Sequence, residues 1–347
     1  MKDLGHGANV NNMAKQFGKN EENIIDFSSN VNPHIISNLG KYVLEGLEKS
    51  RSYPDINYTN LRENISDYIN IDSKNIIPGN GATEIIYLLM KSIKKRIAIL
   101  NPTFSEYGRG AKLNDLEVIN FHLKEEDNFS IDLDEIQQNI EKFDSLFVCN
   151  PNNPTGTYES VENIRKFVAA IPKETLVIID EAYIDFVTSV AVPTARALLD
   201  EFPNVAIMRT FSKAYGLANY RVGYMMTPIE LANYMQTIRL PYNLNTLSQV
   251  AAEAAFGDQE FVARTVSQNA EERSKWEILF DELGIHYYKS EANFIFFAAP
   301  DAEGLADAWL KSGYQVRRCQ REGWLRLTIP MPQDGDVMRK ILRDFMN

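Results

Sequence analysis

Short apolar runs recur along this chain at intervals one helix long, and that rhythm limits what it can fold into more than any other feature. Arg96-Ile-Ala-Ile-Leu100, Leu116 to Phe121, Ser145-Leu-Phe-Val-Cys149, Leu176-Val-Ile-Ile179 and Val205-Ala-Ile-Met208 read as strands. Helical patterns separate them: one opens at Gly79-Asn-Gly-Ala-Thr83 and runs to about Lys94, one starts within Pro102-Thr-Phe-Ser-Glu-Tyr107, and others lie near Leu133 to Lys142 and Val161 to Ala170. Continuous apolar strands alternating with helices indicate an α/β chain with a mostly parallel sheet buried on both faces. Such sheets bind ligands beyond the C-terminal ends of their strands. The loops that follow these runs are therefore the first places to look for function.

The flanking regions read differently. Residues 1–45 are polar and irregular, with helical patterns near Val10 to Phe17 and Ile36 to Leu47 and a turn-rich extended stretch, Phe27-Ser-Ser-Asn-Val-Asn-Pro33, between them. Past Tyr224 the pattern is largely helical to about Leu283. A small α+β segment follows, with strands near Asn293 to Phe297, Gln315 to Arg317 and Leu325 to Ile329. The expected organisation is an N-terminal segment, 1–45, that joins a small domain, a large domain at 46–255, and the small C-terminal domain at 256–347. Asn and Ile crowd the first 156 residues, whereas Ala, Arg and Gln become more frequent beyond about 190.

Each strand-end loop carries a weak signal of its own. Gly-Asn-Gly-Ala-Thr at a helix start offers N–H groups and a hydroxyl to an anion. Asn150-Pro-Asn-Asn-Pro-Thr-Gly156 is a rigid turn rich in amides, and Asp180 ends an apolar run. Lys213, in Arg209-Thr-Phe-Ser-Lys-Ala-Tyr-Gly-Leu-Ala-Asn-Tyr-Arg221, follows another. Alone it reads as a solvated loop lysine. Buried at a strand end with a second cation nearby, it would instead lose its proton and attack a carbonyl.

Together these loops supply what pyridoxal phosphate requires: N–H donors, hydroxyls and an Arg for the phosphate, an aromatic face, a carboxylate for the ring nitrogen, donors for the phenolic oxygen, and a lysine for the aldehyde. With Pro-Asn-Asn-Pro-Thr-Gly, Asp180-Glu-Ala-Tyr183 and Thr-Phe-Ser-Lys-Ala-Tyr-Gly-Leu in this order, the chain resembles the fold-type I pyridoxal-phosphate enzymes of the aminotransferase class I/II superfamily. Within them it is similar to the group holding histidinol-phosphate aminotransferase and threonine-phosphate decarboxylase. The resemblance implies a mostly parallel seven-stranded sheet flanked by helices, a small α+β domain, and pyridoxal 5'-phosphate as cofactor.

It also implies roles. Lys213 would anchor the cofactor and move the α-proton, Asp180 would meet the ring nitrogen, Asn153 and Tyr183 the phenolic oxygen, and Phe104 the ring face. Gly81, Ala82, Thr83, Ser212 and Arg221, assisted by Thr210, would hold the phosphate. Tyr53 matches a family tyrosine that reaches the site of a neighbouring subunit, so a homodimer is expected. Arg326 and Arg317 match arginines that grip substrate anions, Asn32 lies in the loop that closes over substrate, and His6 matches a phosphate-binding histidine of the decarboxylase.

The motifs divide between two reactions. His6-Gly-Ala-Asn, Asp26-Phe-Ser-Ser-Asn-Val-Asn-Pro33 and Phe104-Ser-Glu-Tyr-Gly-Arg109 are similar to the decarboxylase of O-phosphothreonine, with O-phosphoserine a close analogue. From Asp180 onward the chain is similar to histidinol-phosphate aminotransferase, and transamination with glutamate or 2-oxoglutarate is the expected activity. The net charge of −11 and pI near 5.0 exclude a face that would neutralise nucleic-acid phosphates. Two distant cysteines, Cys149 and Cys319, and the lack of an apolar run of about 18 residues point to a cytoplasmic protein outside the membrane. No metal site is expected.

Overall fold

The computed structural model describes residues 7 and 9–346. Its strands are β1 (Ile25–Phe27), β2 (Ile76–Asn80), β3 (Arg96–Asn101), β4 (Glu117–His122), β5 (Ser145–Cys149), β6 (Leu176–Asp180), β7 (Val205–Thr210), β8 (Val222–Met226), β9 (Phe294–Ala298), β10 (Tyr314–Arg318) and β11 (Trp324–Thr328). Seven form one sheet in the order β2-β8-β7-β6-β5-β3-β4. All run parallel except β8, which is antiparallel to both neighbours. This is the mostly parallel seven-stranded sheet that the family resemblance implied.

The alternation of side chains along each central strand builds two cores. Leu146, Val148, Val177, Ile179, Val205 and Ile207 enter one, packed under helices Thr59–Ile69, Val161–Ala170 and Thr246–Gly257. Phe147, Ile178, Ala206 and Met208 enter the other, beneath Gly81–Met90, Ser105–Leu113 and Ile229–Ile238. A strand buried on both faces has no polar side to display, so the runs read as continuously apolar. Each of the larger side chains, Ala206 excepted, contributes about 1.5–3 kcal/mol on burial.

A second sheet has the order β1-β10-β11-β9. β1 pairs parallel with β10, as a strand where the sequence reads only a loop. Three residues carry too little alternation to register as a strand on their own. The helix Gln259–Leu283, capped by Asp258 at its start and by Gly284 in the left-handed conformation at its end, reaches both units. Phe261 packs into the large core, whereas Trp276 and Phe280 pack with Trp309 and Phe297 in the small one.

The structure departs from the sequence pattern at two further places. The sequence pattern turns helical past Tyr224, yet Val222–Met226 is a strand, and β2 pairs along its other edge. The helix opening at Gly81 ends at Met90, short of Lys94. No helix among the described residues is long and apolar enough to cross a membrane. Beyond the C-terminal ends of β5, β6 and β7 the two units meet over an open chamber, and β1 feeds its following loop, Ser28 to Asn30, into that chamber's wall.

Candidate active site

The chamber has a volume of about 690 Å³. Lys213 enters it from the turn after β7. Its Nζ donates to the carbonyls of Ser29 at 3.1 Å and Asn30 at 3.2 Å, and lies 5.5 Å from the centre of the Tyr183 ring. Burial, with the nearby charges of Arg326 and Arg221, brings its pKa down to about 7 against the pull of Asp180 and Asp26. A substantial share of the amine is therefore unprotonated and nucleophilic at neutral pH.

Asp180 ends β6 facing the same space, while the acid beside it is used otherwise. Glu181 accepts from Arg209 Nε, Thr194 Oγ1 and the Ala195 N–H at 2.9, 2.9 and 2.6 Å, a buried structural network. Asp180 accepts from Tyr107 Oη at 2.6 Å and from the Ala182 N–H at 3.1 Å, and burial pushes its pKa up to about 6. Tyr107 is a buried partner of Asp180 that the sequence reading passed over. It sits three positions after Phe104 on helix Ser105–Leu113, so the two share a face, and its ring meets that of Phe104 edge-on at 5.7 Å.

An anion cradle closes one end. Helix Gly81–Met90 points its N-terminus at Arg221, and Gly81, at φ +73°, donates its N–H to the Arg221 carbonyl at 2.9 Å. A Cβ on Gly81 would lie 2.3 Å from Arg221 Nη2, and one on Gly223 would lie 2.5 Å from the Ala82 nitrogen, so the arginine and the helix start meet only because both positions are glycine. Arg221 Nη1 donates to Ser212 Oγ at 3.3 Å. Thr210 Oγ1 accepts the Ser212 N–H at 3.1 Å and donates to the Val222 carbonyl at 3.3 Å, which fixes the turn that carries both Ser212 and Lys213.

The opposite wall is cationic. Arg326 on β11 is buried; it donates to Asn153 Oδ1 and, at 2.6 Å, to the Ser28 carbonyl, while its Nε has no partner. Arg317 on β10 stands directly across from it in the strand register, which places both on one face of the sheet. Tyr183 is buried and its hydroxyl pKa rises to about 12. Cys149, pushed up to about 12 mainly by burial, stays a neutral thiol in the chamber wall.

Of the residues expected from the sequence, Ala82, Thr83, Phe104, Asn153, Asp180, Tyr183, Thr210, Ser212, Lys213, Arg221, Arg317 and Arg326 all line this chamber. Gly81 shapes it from behind. Tyr53 lies outside, 80% exposed and stacked on Tyr242 with ring centres 4.5 Å apart. Asn32, expected over the substrate, does not line the chamber. Its amide donates to the Ala214 carbonyl at 2.8 Å and its Oδ1 accepts from the His34 N–H, so it ties the loop after β1 to the segment after Lys213. His6 falls outside the described residues. Asn30, which the sequence reading did not single out, does line the chamber.

An amine held near neutrality, a buried carboxylate, aromatic and amide walls and an anion cradle at parallel strand ends define an enzyme that works through a bound aldehyde cofactor. The comparisons with known proteins narrow this. The family model for aminotransferase class I and II matches residues 22–341, and the chain belongs to that family. A histidinol-phosphate aminotransferase from Lactiplantibacillus plantarum is 42% identical over 93% of this chain and 92% of its own length. Among solved structures, the histidinol-phosphate aminotransferase from Clostridium acetobutylicum superposes with a TM-score of 0.87 at 28% identity over 93% of this chain and 99% of that one. The fold is shared by the histidinol-phosphate aminotransferase from Sinorhizobium meliloti in complex with pyridoxal-5'-phosphate, at a TM-score of 0.87, 20% identity, and 97% and 95% coverage. The protein is a pyridoxal-phosphate-dependent aminotransferase. The chamber fits that cofactor: the cradle that a Cβ on Gly81 would fill matches its phosphate, and the donors and the acid match the polar atoms of its ring.

Proposed function

We propose that this chain exchanges an amino group between a phosphorylated amino compound of the histidinol-phosphate type and 2-oxoglutarate or glutamate. The observation that carries this reading is the pair Arg317 and Arg326, set across from each other on β10 and β11 in the chamber that also holds Lys213. One partner carries a phosphate and the other two carboxylates, and two guanidinium forks on one wall serve both in turn. The name shared by the relatives supports the same substrate class.

When bound, the cofactor supplies an electron sink for the bonds at the substrate's α-carbon. The residues supply the rest. Thr83, Ser212, Arg221 and the N–H of Ala82 would bind its phosphate, Asp180 would hold the ring nitrogen protonated, and Phe104 would cover the ring. Asn153 and Tyr183 would meet the phenolic oxygen. Lys213 would anchor the aldehyde and would move the proton at the substrate's α-carbon. With glutamate bound, Arg326 would hold the α-carboxylate so that the α-proton stands where Lys213 reaches it.

A second copy of the chain completes the site in this reading. Tyr53 and Tyr242 form an exposed aromatic pair that a partner subunit would cover. Mixing inactive Tyr53 and Lys213 variants should restore activity through hybrid sites; no recovery would remove the shared-site reading. The two free cysteines fit a reducing cytoplasm. Incubation with histidinol phosphate and 2-oxoglutarate should yield glutamate. Release of CO2 from O-phosphothreonine with no glutamate formed would instead establish the decarboxylase, the activity that the motifs before residue 156 resemble.

A further inference from the structure

Asn30 is held in the left-handed backbone region at φ +55° and is 1% exposed. Asparagine is one of few residues besides glycine that accept this conformation, and here every polar group it has is in use. Its N–H donates to Thr328 Oγ1 at 3.0 Å, and that hydroxyl returns its own proton to Asn30 Oδ1 at 3.2 Å. With Oδ1 taken, the amide Nδ2 faces the other way and donates to Tyr183 Oη at 3.0 Å. The Asn30 carbonyl accepts from Lys213 Nζ at 3.2 Å and from Asn293 Nδ2 at 3.1 Å. One residue therefore connects β11 and the approach to β9 with the amine and the phenol that face the chamber.

The direction of these bonds has a chemical result. A phenol owns one proton, and an amide NH2 can only donate. Tyr183 Oη is thus an acceptor toward Asn30, and its proton is left to point elsewhere. The Tyr183 and Phe294 rings meet at a steep angle with centres 5.1 Å apart, and Tyr183 lines the chamber.

We propose that Asn30 is a positioning residue: its amide turns the Tyr183 proton into the chamber, toward the phenolic oxygen of the cofactor, and its carbonyl holds Lys213 Nζ in reach of the aldehyde. The proposal rests on the reading of Tyr183 as a partner of that oxygen. A donor at the phenolic oxygen draws off its negative charge and so makes the proton on the lysine–cofactor link easier to lose. Without a directed donor, that proton is held to higher pH.

The test is the pH midpoint of the visible absorbance change of the holoenzyme, with thermal unfolding as a check that each variant is folded. Asn30→Gly keeps the backbone conformation and deletes the amide, and it should raise the midpoint by about one unit. Asn30→Asp keeps the shape but offers only acceptors, and its shift should be larger. In a Tyr183→Phe background, Asn30→Gly should add nothing, since the phenol through which it acts is gone. Equal shifts in both backgrounds, or no shift in either while Tyr183→Phe alone does raise the midpoint, would overturn the proposal and leave the role of Tyr183 standing. A midpoint unmoved by Tyr183→Phe would overturn both. A purely structural Asn30 would lower the unfolding temperature without moving the midpoint.

Discussion

Lys213→Met deletes the amine and keeps the length of the side chain, and it should stabilise the cofactor-free protein by an amount that shrinks as pH rises. Burial, aided by Arg326 and Arg221, lowers the Lys213 pKa from 10.5 to about 7. In the unfolded chain the amine titrates near its ordinary value. Between these limits the unfolded state binds a proton that the folded state does not, so native stability rises with pH through that window. The slope reaches about 1.4 kcal/mol per pH unit, and below the folded pKa the full cost is on the order of 5 kcal/mol, an upper figure because water in the open chamber screens the charge. Above the unfolded value the cost is gone. The Met variant has no such term, so its advantage should fall by about 2 kcal/mol from pH 7.5 to pH 9.5. Urea unfolding of both proteins at a series of pH values reads this directly. Parallel stability curves would mean that Lys213 keeps its proton in the folded state, and the account of its nucleophilicity would fail.

Arg221→Gln should weaken cofactor binding by about 10- to 100-fold, the worth of a charge-assisted hydrogen bond, in equilibrium dialysis. The unfolding temperature of the cofactor-free protein should barely move, because Arg221 is exposed to the chamber. Gly81→Ala places a Cβ 2.3 Å from Arg221 Nη2 at a φ of +73°; it should cost about 1–3 kcal/mol in urea unfolding and also lower cofactor affinity. Tyr107→Phe removes the hydrogen bond that holds down the Asp180 pKa against burial. Asp180 should then take up its proton at higher pH, and cofactor release on acidification, followed by absorbance, should begin earlier; an unchanged release profile would disconnect Tyr107 from the site.

The parts of this molecule that were legible in the sequence are those in which one residue type has one use. Strands β5, β6 and β7 are buried on both faces, so their apolar runs are unbroken, and the loops after them had to hold whatever the sheet presents to a ligand. Lys213, Asp180 and Arg221 followed from position as much as from type. β1 and β8 were not legible because their identity comes from their partners: β1 is three residues long and exists through its pairing with β10, and β8 returns antiparallel between β7 and β2. Asn30 and Asn32 sit two residues apart in one turn-rich stretch, and nothing in the spacing says which faces the chamber. The left-handed φ of Asn30 and the bond from Asn32 to Ala214 decide it, and both depend on contacts with segments far along the chain.

Arg326 gives that tertiary dependence a measurable form. Both of its terminal nitrogens are engaged, Nη1 by Asn153 Oδ1 and Nη2 by the Ser28 carbonyl, whereas Nε is buried without a partner. A guanidinium grips a carboxylate with two parallel N–H bonds, and the edge formed by Nε and Nη2 can do so only by displacing Ser28. Binding an anion there would exchange a carbonyl for a charged acceptor and satisfy the unpaired N–H, a net gain of about 1–3 kcal/mol, while loosening the loop after β1 that also holds Lys213 through Ser29 and Asn30. Substrate arrival and release of the lysine amine would then be coupled through one short loop. Arg326→Lys keeps the charge but loses the fork, so KM for 2-oxoglutarate should rise by about tenfold or more, with kcat falling as well because the coupling is lost. If KM rises and kcat stays unchanged, Arg326 is an anchor for the anion alone, and the loop moves independently of it.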